Sequence, residues 1–157
     1  ITETPDFFLE SRKLGCAGIV TRSLRLEVSA DRLRTPSPRY VVIDSNTMMN
    51  CEWSNEHHWS NWRDRWAKDV KDANGTLVVS LSGRDVSGCA QLIKSFDELT
   101  VDAYEINISC SHSGALHGNL NIDRDRLVEL MGAIRPCTKK PIWIKLSYSP
   151  SLVYMAE

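Results

Sequence analysis

The sequence predicts an α/β protein built from parallel strands. Short apolar runs typical of buried strands alternate with longer amphipathic segments, in the order helix, strand, insertion, helix, strand, helix, strand, helix, strand. Polar side chains directly follow several of the strands, where ligands bind in parallel α/β proteins. Four strands are half of a (β/α)8 barrel, so the chain forms either a small open sheet or a portion of a barrel.

The composition is that of an ordinary globular domain. The 157 residues are 42% hydrophobic and 25% charged, and 19 basic against 20 acidic side chains give a formal net charge of −1. This balance removes the main electrostatic reason to propose a nucleic acid or an anionic membrane as partner. No apolar run is long enough to span a bilayer and no signal-peptide pattern opens the chain, so we expect a cytoplasmic protein.

The cysteines do not form a recognisable framework. They are odd in number, widely spread and without a C-x-x-C pair: Cys16, Cys51, Cys89, Cys110 and Cys137. The pattern predicts neither a disulfide scaffold nor a structural zinc site or complete iron–sulfur site within this chain. We therefore predict no metal site.

The first two elements are a helix and a short strand. Thr4 is the candidate N-cap, Pro5 suits the first helical position, and Gly15 can end the helix. The strand at 17–21 runs into Arg22, which is either a solvated surface charge or a ligand contact.

A long excursion at about residues 26–50 interrupts the alternation. Its Pro36 and Pro38 lack the amide donor that a helix interior or a central strand needs. A short strand is predicted at 40–43, and the segment leads into a polar cluster at 48–52. Excursions of this length are usually functional in compact domains.

The second helix is predicted from Ser54 to about Asp72. Large apolar residues recur on it at three- and four-residue spacing, at Trp59, Trp62, Trp66 and Val70. We interpret this stripe as core that docks the helix on the sheet, with an aromatic ligand box as the alternative. Adjacent side chains project in different directions on a helix, so His57 and His58 are interpreted as surface or loop contacts.

The next elements follow the same alternation. A turn at 74–75 leads into a buried strand at 76–81. Asp85 or Ser87 opens a helix whose apolar face includes Cys89, which we interpret as a structural cysteine.

The last helix and strand complete the pattern. Asp123 caps a helix that ends at 135–136. Its apolar positions are Leu127, Val128, Met131 and Ile134. The final strand at 142–146 carries Lys145 near its carboxyl end, and a lysine in an apolar strand needs a partner. That partner is either an anionic or electron-rich ligand or a salt bridge within the sheet.

The stretch 104–114 combines the features expected of a reaction site. It begins as an alternating strand, with Tyr104, Ile106 and Ile108 against Glu105, Asn107 and Ser109, and continues into Cys110 and His112. An amide, a hydroxyl, a thiol and an imidazole thus emerge at one strand end. The alternative is a buried cysteine packed as a small hydrophobe, with Asn107 satisfying neighbouring backbone.

Four segments resemble, in order, the motifs of a known family. Residues 105–112 resemble E-L-N-x-S-C-P-N/H, and residues 18–23, 35–39 and 141–147 are similar to G-x-V-T-K-[ST], N-P-x-P-R and P-x-x-x-K-L-[ST]. These are motifs of the flavin-dependent dihydroorotate dehydrogenases and of the related pyrimidine-reducing domain of dihydropyrimidine dehydrogenase. His112, and N-C-E at 50–52 in place of N-x-x-G-L, tilt the comparison toward dihydropyrimidine dehydrogenase.

The resemblance implies a fold and an activity. Residues 1–157 would form about four βα units of an FMN-binding (β/α)8 TIM barrel, without the family's first strand and the barrel's C-terminal half. The same polypeptide or another subunit of an oligomer would supply the remainder. The implied activity is oxidoreduction at the CH–CH bond of a pyrimidine-like ring, with hydride transfer to or from FMN. Iron–sulfur clusters or FAD would belong only to a partner domain or subunit.

The resemblance also assigns residues. The implied FMN contacts are Thr21, Arg22, Asn107 and Lys145. The implied substrate contacts are Asn50, Glu52, Asn107 and His112. Cys110 would be the general acid/base, since a thiol with a pKa of about 8.5 can give or take a proton near neutrality.

Two departures from the motifs keep an alternative open. Arg22 stands where the family has lysine, and Ser111 replaces the proline of the catalytic loop. The alternative is a non-catalytic structural subunit, or a degenerate barrel fragment, in a larger complex. A third possibility is a different ring substrate on the same flavin scaffold.

Overall fold

A four-stranded parallel sheet with helices packed on it is the centre of the fold. The computed structural model describes residues 3–26, 40–50, 57–82, 86–109, 123–146 and 152–156. The helices are α1 (Asp6–Arg12), α2 (Ala67–Asp72), α3 (Val86–Asp97), α4 (Arg124–Ile134) and α5 (Leu152–Ala156). The strands are β1 (Gly18–Val20), β2 (Tyr40–Asp44), β3 (Thr47–Asn50), β4 (Thr76–Ser82), β5 (Ala103–Asn107) and β6 (Ile142–Lys145). A π-helical turn, Trp62–Trp66, precedes α2, and a 3-10 turn, Arg135–Cys137, follows α4.

The strand order of the main sheet is β1-β4-β5-β6, and every pairing is parallel. This confirms the predicted α/β class with parallel strands. The four strands have the same order in space as along the chain. The described sheet is therefore extended in one direction only and has no point at which the strand order reverses. The strands lie within a residue or two of their predicted positions because short apolar runs between turn residues mark buried strands well.

The two faces of this sheet differ in chemistry. Alternation along the strands puts one set of apolar side chains on the face that meets the helices: Ile19, Leu77, Val79, Leu81, Tyr104, Ile106, Ile142 and Ile144. They share one hydrophobic core with residues of the helices, including Trp62, Leu92, Phe96 and Leu130. We call this the apolar face. The opposite face, which we call the polar face, carries Ser80, Ser82, Glu105, Asn107, Trp143 and Lys145.

The hairpin β2–β3 forms a separate two-stranded antiparallel sheet. The predicted strand at 40–43 is therefore confirmed. Both prolines of the excursion, Pro36 and Pro38, lie outside the described residues. The extent of the excursion as a whole, at about 26–50, stays a prediction.

The tryptophan stripe is core, as predicted. Trp62, Trp66 and Val70 are buried, and the two indole rings pack edge to face with centroids 5.5 Å apart. The π-helical turn at Trp62–Trp66 was not predicted, because a π turn needs only one residue more per hydrogen-bonded ring and has no sequence signature of its own. The predicted start at Ser54 lies outside the described residues. His58 contacts the Ser60 hydroxyl at 2.8 Å, and His57 packs edge-on against Trp66.

Helix ends agree with the sequence in most places. Asp123 caps α4 as predicted, and its carboxylate accepts the backbone N–H of Arg126 at 3.2 Å. Gly15 has a φ of +91°, which suits the chain reversal after α1. The prediction of Thr4 as N-cap is wrong: Pro5 occupies that position, and the Thr4 hydroxyl bonds instead to the Asp6 carboxylate.

One predicted core position is also wrong. Val128 on α4 is 59% exposed, whereas Leu130 is fully buried. The helix is rotated so that Leu127, Leu130 and Ile134 face the sheet, and a stripe of this spacing excludes Val128. Within the part of the chain that the structure describes, none of the helices combines the length and apolar character needed to cross a membrane.

Candidate functional site

The carboxyl ends of β5 and β6 bring two of the predicted site residues side by side. Asn107 and Lys145 are direct register partners in neighbouring parallel strands, so both side chains rise from the polar face at the same level. Glu105 and Trp143 form the next register pair on the same face. The polar face at these strand ends is the candidate site.

Glu105 is the acceptor at the centre of this group. Its Oε1 accepts from Lys145 Nζ at 2.8 Å and from the Ser80 hydroxyl at 2.8 Å. The Glu105 side chain is 15% exposed, whereas that of Lys145 is 45% exposed. The lysine therefore has the partner that its strand position required, and within the sheet that partner is a salt bridge.

Asn107 is held from both sides. Its Nδ2 donates to the Ser23 hydroxyl at 2.8 Å, and its Oδ1 accepts from the backbone N–H of Ser109 at 3.1 Å and from the Ser109 hydroxyl at 2.7 Å. An amide oxygen has two lone pairs, and both are used here. Counting contacts among the described residues, the Asn107 side chain therefore has an N–H left to offer a ligand, and no acceptor.

Thr21 extends β1 into the same region. Its backbone N–H donates to the Val78 carbonyl at 3.1 Å, and its hydroxyl accepts the backbone N–H of Ser80 at 3.0 Å. The residue is buried. The hydroxyl also carries one hydrogen that it can donate.

Arg22 is not the solvated surface charge that one interpretation of the sequence gave. Its side chain is buried and forms an ion pair with Glu3, which precedes α1. A buried guanidinium needs such a partner, and a carboxylate is the one that neutralises it.

Several predicted site residues lie outside the described residues. They are Glu52, Cys110, Ser111 and His112, together with the side chain of Asn50, whose backbone ends β3. Their roles stay predictions. Of the assigned residues whose side chains are described, Asn107 and Lys145 lie together on the polar face, and the Thr21 hydroxyl contacts the backbone of the neighbouring Ser80.

Those neighbours are functional candidates that sequence reasoning passed over: Ser23, Ser80 and Glu105. Alternation along β5 already put Glu105 on the same side as Asn107, which was the available signal. For Ser23 and Ser80 the signal was only a hydroxyl near a strand end. The contacts among them depend on the register between strands about 25 to 85 residues apart, which no local pattern reports.

Two titratable groups with a shifted pKa, Asp102 and Tyr104, lie toward the amino ends of the strands. Asp102, before β5, accepts from the Leu77 backbone N–H at 2.7 Å and from Lys71 at 2.8 Å. Burial raises the pKa of the Asp102 carboxyl, but these two hydrogen bonds outweigh it and the pKa lies below its usual range. Burial, with help from the nearby Asp97, raises the pKa of the Tyr104 phenol. These groups tie helices to strands and are structural.

Several curated proteins similar to this chain are named dihydroorotate dehydrogenases. The chain is 24% identical over 148 residues to the dihydroorotate dehydrogenase B (NAD(+)) catalytic subunit of Pyrococcus furiosus, covering 94% of this chain and 47% of that protein. It is 26% identical over 112 residues to the corresponding subunit of Alkaliphilus metalliredigens, covering 71% and 37%. No protein-family model matches the chain. The chain is a relative of the dihydroorotate dehydrogenases.

This dihydroorotate dehydrogenase relative spans about half the length of the curated proteins that it matches. A further match, 26% identical over 91 residues, is a putative dihydroorotate dehydrogenase A (fumarate) of Aeropyrum pernix, covering 58% of this chain and 30% of that protein. The family resemblance drawn from the four motifs is confirmed for dihydroorotate dehydrogenase. The tilt toward dihydropyrimidine dehydrogenase stays a prediction.

Proposed function

We propose that the chain is part of an FMN-dependent oxidoreductase that acts on the CH–CH bond of a pyrimidine-like ring, of the dihydroorotate or dihydropyrimidine type. The observation that carries the proposal is the register pair of Asn107 and Lys145 on the polar face of a parallel sheet. The supporting comparison is the relationship to proteins named dihydroorotate dehydrogenases.

We further propose that the sheet is a portion, about four βα units, of a (β/α)8 barrel. The unidirectional strand order supports this, because it is the order of barrel strands. So do Val20 and Trp143, which are exposed on the polar face and which further strands would cover. Those strands would come from the same polypeptide or from another subunit.

The donors of the polar face fit FMN. The flavin ring presents carbonyl oxygens and a ring nitrogen as acceptors, and its reduced form is anionic. Lys145 has two N–H groups beyond the one given to Glu105, and Asn107 has one beyond that given to Ser23. A donor set that includes an ammonium suits such an edge, with Thr21 as a third contact.

Each of the assigned residues would then have its own role in the reaction. FMN, when bound, accepts or gives the hydride. Lys145 would stabilise negative charge beside the ring, and Asn107 would orient it through its N–H. Cys110 would hold or move the proton at the neighbouring ring carbon of the pyrimidine, while Asn50, Glu52 and His112 would bind the ring.

The first test is spectroscopic and uses the native full-length protein. We expect the visible absorbance of an oxidised flavin, and we expect it to bleach when dihydroorotate is added without oxygen. Dihydrouracil and dihydrothymine, in the same assay, separate the dihydroorotate type from the dihydropyrimidine type. A colourless protein that binds no added FMN contradicts the proposal.

The second test addresses Cys110. Cys110→Ala should slow flavin reduction by the ring substrate about 10²- to 10⁴-fold, the usual contribution of a general acid or base. Cys137→Ala is the matched control, because this free cysteine lies in the 3-10 turn after α4, and it should leave the rate unchanged. Full activity of Cys110→Ala would remove the role assigned to the thiol.

One observation favours the alternative of a non-catalytic subunit. The Arg22 guanidinium, at a position where the family motif has a flavin-contacting lysine, is engaged by Glu3. If the native protein contains no flavin, a supporting role in a larger complex becomes the better account.

A further inference from the structure

A continuous series of hydrogen bonds joins two of the residues assigned to the flavin, Asn107 and Lys145. It runs from Asn107 Nδ2 to the Ser23 hydroxyl at 2.8 Å, then to the Ser80 hydroxyl at 3.0 Å, and then to Glu105 Oε1 at 2.8 Å. Lys145 Nζ donates to the same Oε1 from the other side, at 2.8 Å.

Counting protons fixes the direction of every bond in the chain. A carboxylate can only accept, so Ser80 gives its single hydroxyl hydrogen to Glu105. Ser23 must therefore donate to Ser80, and its oxygen is then free to accept from Asn107 Nδ2. At the far end, the backbone N–H of Ser109 can only donate, and it meets Asn107 Oδ1. Both ends thus impose the same amide orientation.

The sheet does not depend on this series of side-chain hydrogen bonds to hold its strands together. The strands β4, β5 and β6 pair along their backbones, and the hydrophobic core lies on the apolar face. A carboxylate that is 15% exposed on the polar face is costly unless donors surround it.

We propose that Glu105 is a positioning residue: its carboxylate holds the Lys145 ammonium and, through Ser80 and Ser23, sets the Asn107 amide with an N–H directed to the ligand. This inference rests on the proposed function, since Lys145 and Asn107 are two of the residues assigned to FMN. Glu105 touches neither flavin nor substrate in this account and acts only through other side chains.

The first arm of the test measures Lys145 directly and needs no flavin. The native full-length protein is labelled with acetic anhydride, and the rate at each lysine is followed by peptide mass spectrometry. Glu105→Gln should raise the rate at Lys145 several-fold, because a neutral amide holds an ammonium less well than a carboxylate does. The matched control is Glu10→Gln, which removes the partner of Lys13 in an exposed pair at the end of α1 and should change the Lys13 rate less than twofold.

The second arm measures FMN affinity by fluorescence titration. Glu105→Gln should weaken binding about tenfold, since both flavin donors lose their fixed orientation. Ser80→Ala should also weaken FMN binding while leaving the Lys145 labelling rate unchanged, because it cuts the chain and spares the ion pair. If Glu105→Gln fails to fold, the FMN affinity of Ser80→Ala decides this arm of the test.

The outcomes separate the two proposals. An unchanged labelling rate at Lys145 in Glu105→Gln overturns the positioning role. Unchanged or tighter FMN binding in that variant also overturns it, because a carboxylate that merely repelled the anionic FMN would give tighter binding when removed. Wild-type protein that binds no FMN overturns the proposed function instead, and the labelling arm then decides the role of Glu105 by itself.

Discussion

The two faces of the sheet are formed by the same strands but differ in their side chains and in what those side chains contribute to stability. On β5, Ile106 points into the helix-covered core and Asn107, the next residue, points to the polar face. The apolar face gains its stability from hydrophobic area removed from water. The polar face contains hydroxyls and a carboxylate whose hydrogen bonds contribute little net stability. Such a composition is expected of a face that binds a ligand, as we propose for this one.

The same contrast holds between the amino ends and the carboxyl ends of the strands. At the amino ends of the strands, Asp102 bonds to Lys71 and to the backbone of β4, which ties structure together. At the carboxyl ends, Glu105 accepts from Lys145 and from Ser80, and Asn107 donates to Ser23. The remaining N–H groups of Lys145 and Asn107 are those that we assign to a ligand. Parallel α/β proteins place stability and activity at these two ends in this way.

The largest expected effect tests whether the polar face is covered in the native protein. Trp143 is 52% exposed in the described part of the chain. If the remaining strands of a barrel pack on it, Trp143→Ala should lower the free energy of unfolding of the full-length protein by about 3–5 kcal/mol. Urea denaturation measures this, with Phe7→Ala on the exposed side of α1 as control. A loss below about 0.5 kcal/mol would mean that the face stays open.

The next effect tests the apolar face. Ile106→Ala should destabilise the protein by about 2–5 kcal/mol, because it leaves a cavity under α3 and α4 in a fully buried core. At temperatures where the variant is folded, its FMN affinity should equal that of the wild type. Val128→Ala, at an exposed position of α4, should change stability by no more than about 0.5 kcal/mol. Weak FMN binding by folded Ile106→Ala would contradict the expectation that the apolar face contributes to stability and not to FMN binding.

The smallest effect concerns Asp102 and pH. Its pKa is lower in the folded than in the unfolded state, so its stabilising contribution is present above about pH 4 and is lost as the pH falls through the folded-state value. Asp102→Asn should therefore flatten the fall in stability between about pH 5 and pH 2, with a loss at pH 7 of about 1 kcal/mol or less. Urea denaturation across this range measures both quantities. An unchanged pH profile would show that Asp102 is not a stabilising acid.

Much of the fold could be predicted because its signals are local. The turn at 74–75, the Asp123 cap and the apolar runs of β4 and β5 each depend on neighbours in sequence. Asn74 has the positive φ of 54° that such a turn needs. The rotation of α4, which exposes Val128, was missed because it is set by packing against the sheet rather than by the helix alone.

The candidate site was only partly predictable for a related reason. Asn107 and Lys145 could be found because a polar residue at the end of an apolar strand is a local signal. The central place of Glu105 could not, because it depends on β4 and β6 meeting β5 in one register. The burial of Arg22 against Glu3 likewise depends on how the segment before α1 folds back.

The FMN affinity of Lys145→Met in the native full-length protein tests most directly whether the polar face is the flavin site. Loss of a charged hydrogen-bond donor from the polar face should weaken FMN binding about 10- to 100-fold. The thermal unfolding midpoint should fall, because the Glu105 carboxylate, whose side chain is 15% exposed, loses its cationic partner and keeps the Ser80 hydroxyl as donor. The FMN affinity is therefore compared at a temperature where the variant is folded. Unchanged FMN affinity in Lys145→Met would contradict the assignment of the polar face as the flavin site.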